Sequence, residues 1–202
     1  CIRLYTEEDY ANRPLFTQPE ILRSNLAEVI LRMIALKLGN FADFPFIDRP
    51  AEKSIQDVFD LLLELGAIVR LERNRSGAGG YRLTENGRTM ARLPIDPRLS
   101  RMLIEARKEG CLGPVVILAA ALSIQDVRER PLDKEALADQ AHRQFVDPLS
   151  DFVTVLNIWH AIHDSSSRPG SMNELKKFCR QHFLSFRRIR EWRDIHGQIK
   201  AV

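Results

Sequence analysis

The sequence predicts a mostly α-helical protein in which helices and one small β-hairpin precede an α-helical bundle. Three observations lead to that fold class. Apolar residues recur at spacings of three and four through residues 21–38 and 51–65. A glycine-rich polar stretch at residues 74–80 separates two short strand-like runs. From residue 94 onward the apolar pattern is purely helical.

The chain begins with a short apolar run at residues 2–5, which predicts the end of a strand, followed by a polar, proline-containing linker. Residues 21–38 then predict the first long helix, with Gly39 as its stop. A second helix is predicted over residues 51–65, with acidic residues early and Gly66 at its end. The first twenty residues carry little information about function.

Residues 67–72 and 81–83 predict the two strands of the hairpin, and residues 74–80 predict its long, polar tip. Thr84 is placed to cap a short helix that reaches residue 93. Helices followed by a two-stranded hairpin are typical of a winged-helix unit. We therefore assign residues 19–93 to a winged-helix domain.

The predicted hairpin tip is basic, with Arg70, Arg73 and Arg75, so contact with duplex DNA is one hypothesis for the wing. The alternative is an interdomain strut. Four acids lie on the preceding helix and disfavour a reader of the major groove: Glu52, Asp57, Asp60 and Glu64.

Residues 94–202 predict one helical bundle without internal repeats. A helix is predicted to run to Lys108. Asp96 can cap it, and Pro97 can occupy its first turn. Residues 115–123 form a nearly all-apolar helix, which must lie at the centre of the bundle. Further helices are predicted at residues 133–145 and 150–164 and as two helices within 170–202.

Composition places the chain among soluble globular proteins, at 45% hydrophobic and 28% charged residues. No apolar run approaches the roughly 18 residues that a membrane-spanning helix needs. Three widely spaced cysteines, Cys1, Cys111 and Cys179, indicate reduced thiols and a cytoplasmic location. The opening residues, which lack an initiator Met, suggest a piece of a longer protein.

No catalytic or metal-binding motif is recognisable. There is no phosphate loop of the GxxxxGK[ST] type, no HExxH and no GxSxG. His160 and His163 lie three residues apart on a predicted helix, but only Asp164 stands near as a third ligand, so capping or core roles are favoured. We expect no catalytic site, no metal site and no cofactor within these 202 residues.

The strongest functional signal is the basic segment at residues 170–202, which holds eight Lys and Arg residues against three acids. Aromatic residues and histidines are interleaved with these cations, the mixture that suits phosphates and unstacked bases of a single strand. The candidate phosphate contacts are Lys176, Lys177, Arg187, Arg188 and Arg190. Phe183 and Trp192 are candidate stacking rings if they are exposed. The alternative is a pair of ordinary amphipathic helices whose arginines lie on a solvated face.

Several ordered motifs together resemble the region that follows the ATPase core in DEAH-box RNA helicases, in particular the bacterial HrpA type. The resemblance covers nearly the whole chain. The motifs are PEILRSNL (19–26), FPFIDRP (44–50), LTENGR (83–88), LPIDP (93–97), LAAALS (118–123), residues 147–162 and FCRQHF (178–183).

The resemblance implies a division of the chain into three parts. Residues 1–18 would be the end of the second RecA-like domain and a linker, 19–93 the winged helix, and 94–202 the helicase-associated, ratchet-like bundle. The phosphate loop, the DEAH sequence, the arginine finger and the OB-type domain of the family lie outside these residues. ATP and Mg²⁺ are therefore expected for the parent helicase and not for this stretch.

In the family, the bundle closes one side of a channel against the RecA-like ATPase domains and the OB-type domain. The resemblance marks Asn157, His182 and Arg187 as candidates to face that channel. It implies an accessory region that grips single-stranded RNA, with DNA as an alternative strand, and braces the ATPase core. The other hypotheses are a protein-interaction scaffold without RNA contact and, less favoured, a DNA-binding regulator.

Overall fold

The computed structural model describes residues 4–12, 26–39, 41, 44–71, 80–163 and 170–202. Within these ranges it confirms a mostly α-helical fold with a two-stranded antiparallel hairpin. The helices are α1 (Glu7–Asn12), α2 (Leu26–Ala35), α3 (Glu52–Glu64), α4 (Glu85–Met90), α5 (Pro97–Lys108), α6 (Leu112–Leu122), α7 (Glu135–His142), α8 (Asp151–His163), α9 (Met172–Gln181) and α10 (Phe186–Lys200); the strands are β1 (Ile68–Leu71) and β2 (Gly80–Leu83).

The predicted hairpin is present, with an apolar cross-strand pair at its base. β1 and β2 pair antiparallel, with Ile68 opposite Leu83 and Leu71 opposite Gly80. Because directly opposite residues of an antiparallel pair have side chains on the same face, the buried Ile68 and Leu83 lie together, against the first helices. Arg70 is exposed, and its guanidinium lies 5.9 Å from the ring centroid of Tyr81. The predicted tip with Arg73 and Arg75 lies outside the described residues.

A close approach of backbones joins α4 to the start of the hairpin. A Cβ atom at Gly87 would lie 1.8 Å from the carbonyl oxygen of Ala67, so only glycine fits there. Thr84 caps α4 as predicted, because its Oγ1 accepts from the Gly87 N–H at 2.9 Å. The same hydroxyl donates to the Gly66 carbonyl at 2.6 Å. One threonine thus ties the helix to the turn before β1.

The bundle is organised around α6, as its apolar sequence predicts. Ala119 and Ala120 are fully buried, and α6 contacts α5, α8 and α10. α5 begins as predicted, with the Asp96 side chain accepting from the Arg98 N–H at 2.6 Å and Pro97 in the first turn. Small residues on α6 let the neighbouring helices approach closely, which places α10 against the centre of the bundle.

Buried apolar residues form two clusters, one drawn from residues 27–90 and one from residues 93–199. Ile104 of α5 is partly buried against the first cluster, so the two are in contact. The names and boundaries of the domains, including the winged helix at 19–93, stay predictions.

Several element boundaries differ from the predictions. α1 lies in the stretch predicted as a linker, where acids gather in its first turn, and none of its residues is buried. Leu4 and Tyr5 are not in a strand, and residues 1–3 lie outside the described ranges. α6 begins at Leu112, before the predicted start, because proline is tolerated in the first turn of a helix. The helix predicted at 133–145 is α7 followed by a 3₁₀ turn, Arg143–Phe145.

Candidate nucleic-acid interface

The basic segment forms the last two helices, α9 and α10, joined by a tight turn. α9 starts with a capping box, in which the Ser171 hydroxyl accepts from the Glu174 N–H and the Glu174 carboxylate accepts from the Ser171 N–H. Leu175 and Cys179 form the buried side of α9. Lys176 and Lys177 are exposed on the same helix.

Phe183 lies in the turn between α9 and α10 and fixes its shape. Its φ of +50° is in the left-handed region, which is uncommon for a residue other than glycine. Its carbonyl accepts from the Glu129 N–H at 2.8 Å and lies 3.1 Å from His142 Nε2. The Phe183 side chain is only half-buried. The backbone of this residue therefore has a structural role, and its side chain is partly exposed.

Trp192 is fully buried. It was a candidate stacking ring only if exposed, so it is not a stacking platform. Its Nε1 donates to the carbonyl of Ile117 on α6 at 2.9 Å, and its ring centroid lies 4.9 Å from that of Trp159. Burial of a large ring with its single N–H satisfied contributes to packing rather than to recognition. Trp159 stacks in turn on His163 at 3.9 Å.

Asn157 and His182 meet at the 3₁₀ turn that ends in Phe145. Asn157 Nδ2 donates to the Phe145 carbonyl at 3.0 Å, and the ring centroids of Phe145 and His182 are 5.6 Å apart. Gln144 Nε2 lies 2.8 Å from His182 Nδ1. Burial, together with the charge of His142, holds the pKa of His182 below its ordinary value, so its ring is neutral at neutral pH. Both side chains are half-buried and contact other parts of the bundle.

Arg188 is bound to the loop after α6. Its guanidinium donates to the Asp126 carbonyl at 2.7 Å and to Gln125 Oε1 at 2.8 Å. Its Nε is buried and has no partner among the described residues. A guanidinium held in this way positions the start of α10 and has few donors left for a phosphate.

Arg187 and Arg190, by contrast, are exposed on the outer side of α10. They line a shallow groove of about 500 Å³ together with Phe186. Lys176 of α9 reaches the same place, with its Nζ 5.3 Å from the Phe186 ring centroid. We call Lys176, Arg187, Arg190 and Phe186 the cationic patch. Lys177, the next residue of α9 after Lys176, is also exposed.

Two acids that the sequence reasoning did not weigh line the groove beside the cationic patch. Glu191 follows Arg187 by four residues, and Asp194 follows Arg190 by four. This spacing puts each acid on the same side of the helix as its arginine, and it could have been read from the sequence. Their charge lowers the attraction of the patch for phosphates. Gln125, Gln144 and Phe145 were also missed, and no local pattern marks them.

The described part of the chain holds no group of three or more His, Cys, Asp and Glu side chains that could bind a metal ion. His163 Nδ1 lies 2.9 Å from the Trp159 carbonyl, which is a local structural contact. Burial and the charge of Glu129 raise the pKa of Cys179 to about 11, so this thiol is protonated and unreactive at neutral pH. None of the helices in the described ranges is long and apolar enough to cross a membrane.

Comparison with known proteins places this chain beside RNA helicases. Residues 96–155 match the family described as helicase associated domain (HA2), ratchet-like. The chain is 48% identical over 202 residues to the ATP-dependent RNA helicase HrpA of Escherichia coli (strain K12). It is 48% identical over 203 residues to the HrpA homolog of Haemophilus influenzae and 33% identical over 205 residues to the human probable ATP-dependent RNA helicase DHX35.

Each of these alignments covers 100% of this chain but only a small part of the relative. The chain spans 15% of either HrpA protein and 27% of the human protein.

Proposed function

Because the resemblance to DEAH-box RNA helicases of the HrpA type is confirmed over the whole chain, we propose that this chain is an accessory nucleic-acid-binding region of such an enzyme. It grips single-stranded RNA, with DNA as an alternative strand, and braces the ATPase core of the longer protein. The observation that carries the proposal is the cationic patch, where cations of two helices converge on one exposed surface.

The geometry supports contact with a phosphate backbone rather than with base edges. Lys176, Arg187 and Arg190 carry flexible, exposed charges, and the patch contains no buried polar side chain that would read a base. Counterion release then supplies most of the binding energy, which is independent of sequence. Phe183, which is partly exposed in the turn between the two helices, is the candidate for stacking on a base.

The inner contacts give the patch a rigid base. Arg188 binds α10 to the loop after α6, and Trp192 binds it to α6 itself. A strand held on α10 is thus held on the whole bundle, because α6 also contacts α5 and α8. In our proposal, movement of the RecA-like domains against this rigid surface draws the strand in one direction.

The remaining assignments are part of the same proposal. Residues 19–93 act as a winged helix, the RecA-like and OB-type domains of the longer protein enclose the strand, and ATP and Mg²⁺ bind to those ATPase domains. The chain itself should show no RNA-stimulated ATP hydrolysis, since its sequence has no phosphate loop. A cytoplasmic location, which the three widely spaced cysteines suggest, is part of the same proposal.

The test is a salt series on RNA binding. Fluorescence anisotropy with a labelled twelve-nucleotide oligouridine should give a Kd on the order of 10⁻⁴–10⁻⁶ M at physiological salt, because only one wall of the channel is present. The double variant R187E/R190E should weaken binding and flatten the dependence on salt by roughly one unit for each phosphate that is no longer neutralised. The matched control is R98E/R107E, which reverses two exposed arginines of α5 outside the patch.

An unchanged salt slope in R187E/R190E would contradict the proposal. So would equal weakening in the two double variants, since that would reflect net charge alone. Absence of salt-dependent binding would favour the second candidate, a protein-interaction scaffold. That candidate is supported by exposed apolar side chains at and before α8, namely Leu149, Phe152 and Val153, which are 94%, 52% and 38% exposed.

A further inference from the structure

Gln144 and His182 form a hydrogen bond between the 3₁₀ turn that follows α7 and the end of α9. Gln144 Nε2 lies 2.8 Å from His182 Nδ1, and it donates to the Ala141 carbonyl at 2.7 Å. Gln144 is exposed, whereas His182 is half-buried. The His182 ring also contacts the rings of Phe145 and Phe178, with centroids 5.6 Å and 4.4 Å away. An exposed amide and two aromatic rings therefore hold the imidazole in one orientation.

The direction of the hydrogen bond between Gln144 and His182 follows from the contact with Ala141. A carbonyl oxygen only accepts, so the Gln144 atom that lies 2.7 Å from the Ala141 oxygen must be the amide nitrogen. An amide NH₂ group only donates, and this one lies 2.8 Å from His182 Nδ1. Nδ1 must then be an unprotonated acceptor. The proton of the neutral ring is therefore on Nε2.

The surroundings of His182 favour the neutral ring. Burial and the charge of His142 hold the pKa of His182 below its ordinary value. The hydrogen bond from Gln144 acts in the same direction, because a doubly protonated ring has no acceptor for it. Other charged groups lie on α7 and its 3₁₀ turn, on α9, and on the loop that pairs with residues 183–184, namely Asp139, Arg143, Arg180, Arg128 and Glu129.

The Nε2–H group of His182 is open to solvent. Nε2 makes no hydrogen bond with a described residue, and it is not one of their buried side-chain atoms that lack a partner. His182 precedes Phe186 of the cationic patch by four residues, which span at most about 14 Å. Surfaces for single strands bind about 4–16 nucleotides. A strand on the patch can therefore reach this donor.

We propose that Gln144 is a positioning residue for RNA binding, which orients His182 as a neutral donor whose Nε2–H bonds to an oxygen of the strand. That oxygen belongs to a phosphate or to a ribose 2′-OH, both of which accept hydrogen bonds from proteins. A neutral donor binds equally well across the pH range in which an ordinary histidine becomes charged. The role of Gln144 rests on the proposed function, because it requires a strand on the bundle.

The first measurement needs no RNA. Long-range ¹H–¹⁵N NMR spectra of the full chain between pH 5.5 and 8 report the proton position and the pKa of each imidazole. The His182 signals, assigned with His182→Leu, should show a neutral ring protonated on Nε2. Gln144→Glu should raise the pKa of His182, because a carboxylate accepts from a protonated Nδ1 and stabilises the imidazolium. Gln140→Glu, at another exposed glutamine on α7, is the charge-matched control and should leave the tautomer unchanged.

The second measurement is the Kd for oligouridine at pH 8 divided by the Kd at pH 6, from fluorescence anisotropy. In Q144E the His182 ring becomes charged at pH 6, and a charged donor binds an anionic oxygen more strongly than a neutral one. The ratio should therefore be about three- to tenfold higher in Q144E than in the parent chain or Q140E. The increase should vanish in Q144E/H182L, since the other histidines are the same in all these variants.

The accepting oxygen is identified with His182→Leu at pH 7.5. Loss of one hydrogen bond should weaken the binding of oligouridine about two- to tenfold, with an unchanged circular dichroism spectrum. Equal weakening for oligodeoxyuridine would assign the donor to a phosphate oxygen. Weakening for RNA alone would assign it to the 2′-OH.

Three results would overturn the proposal. The first is a parent chain in which His182 carries its proton on Nδ1. The second is RNA binding that is steeply salt-dependent yet unchanged by His182→Leu. The third is an equal change of the Kd ratio in Q144E and Q140E, which would reflect added charge alone. Failure of the proposed function has a different signature, because the parent chain would then show no salt-dependent binding. The RNA contact of His182 would fall with it, while the NMR result would still report the effect of Gln144 on the ring.

Discussion

Arg187 and Arg188 are neighbours in the sequence and both line a groove beside the loop after α6, yet they have different contacts. Arg187 is exposed in the groove of the cationic patch, whereas Arg188 donates to Asp126 and Gln125 of the bundle. The outer side of the helix presents charge, and the inner side holds the helix in place. The basic segment therefore combines exposed charges with residues that bind the helix to the bundle. Its net charge alone does not distinguish the two.

The inner side should carry most of the stability, and Trp192→Ala gives the largest expected effect. Removing a fully buried ring should lower the free energy of unfolding by about 3–5 kcal/mol. Urea denaturation measures this directly. Trp192→Phe keeps much of the packing but removes the hydrogen bond to Ile117, so its destabilisation should be smaller. A decrease below about 1 kcal/mol for the alanine variant would contradict the assignment of Trp192 to the core.

Arg188→Ala should have a smaller effect on stability and should separate the two arginines. Removal of two hydrogen bonds from a charged, partly exposed group should cost about 1.5 kcal/mol. Arg187→Ala should change stability by less than about 0.5 kcal/mol, as is usual for exposed surface positions. Thermal or urea unfolding of the two single variants provides the measurement. Equal destabilisation would show that Arg187 also makes contacts that stabilise the fold.

The difference between these arginines also shows which features can be predicted from the sequence. Helical spacing and caps predicted α3, α5 and the hairpin nearly to the residue, because these signals are local. Arg188 contacts residues more than sixty positions away, and His182 contacts a turn nearly forty positions away. Such partners depend on how the helices pack against each other, and local sequence patterns do not reveal that packing. Periodicity could have placed Trp192 inside, since it follows the buried Ile189 by three.

Two half-buried histidines, His182 and His196, should make the bundle sensitive to acid. Burial, with the charge of His142 near His182 and those of Lys200 and His163 near His196, holds the pKa of both rings below the ordinary value of 6.5. The folded state therefore favours the neutral rings. Their contribution to stability is full above about pH 6.5 and is lost as the pH falls toward the lower pKa of the folded state.

Urea unfolding at pH 7.5 and 5.5 measures this effect. The chain should be less stable at the lower pH, and the double variant H182Q/H196Q should show a smaller fall. An equal fall in that variant would assign the acid sensitivity to other groups.

The smallest expected effect lies on the outer side of α10, at Gly197. It follows Arg190 by seven residues, two helical turns, and therefore lies on the same side of the helix. A Cβ atom placed there would meet nothing within 4 Å, in contrast to Gly87, where it would strike a backbone carbonyl. Alanine has the higher helix propensity, so Gly197→Ala should stabilise the chain by about 0.5–1 kcal/mol and leave RNA binding unchanged. Destabilisation by this substitution would mean that another part of the protein packs on the outer side of α10, and the patch would then not be open to RNA.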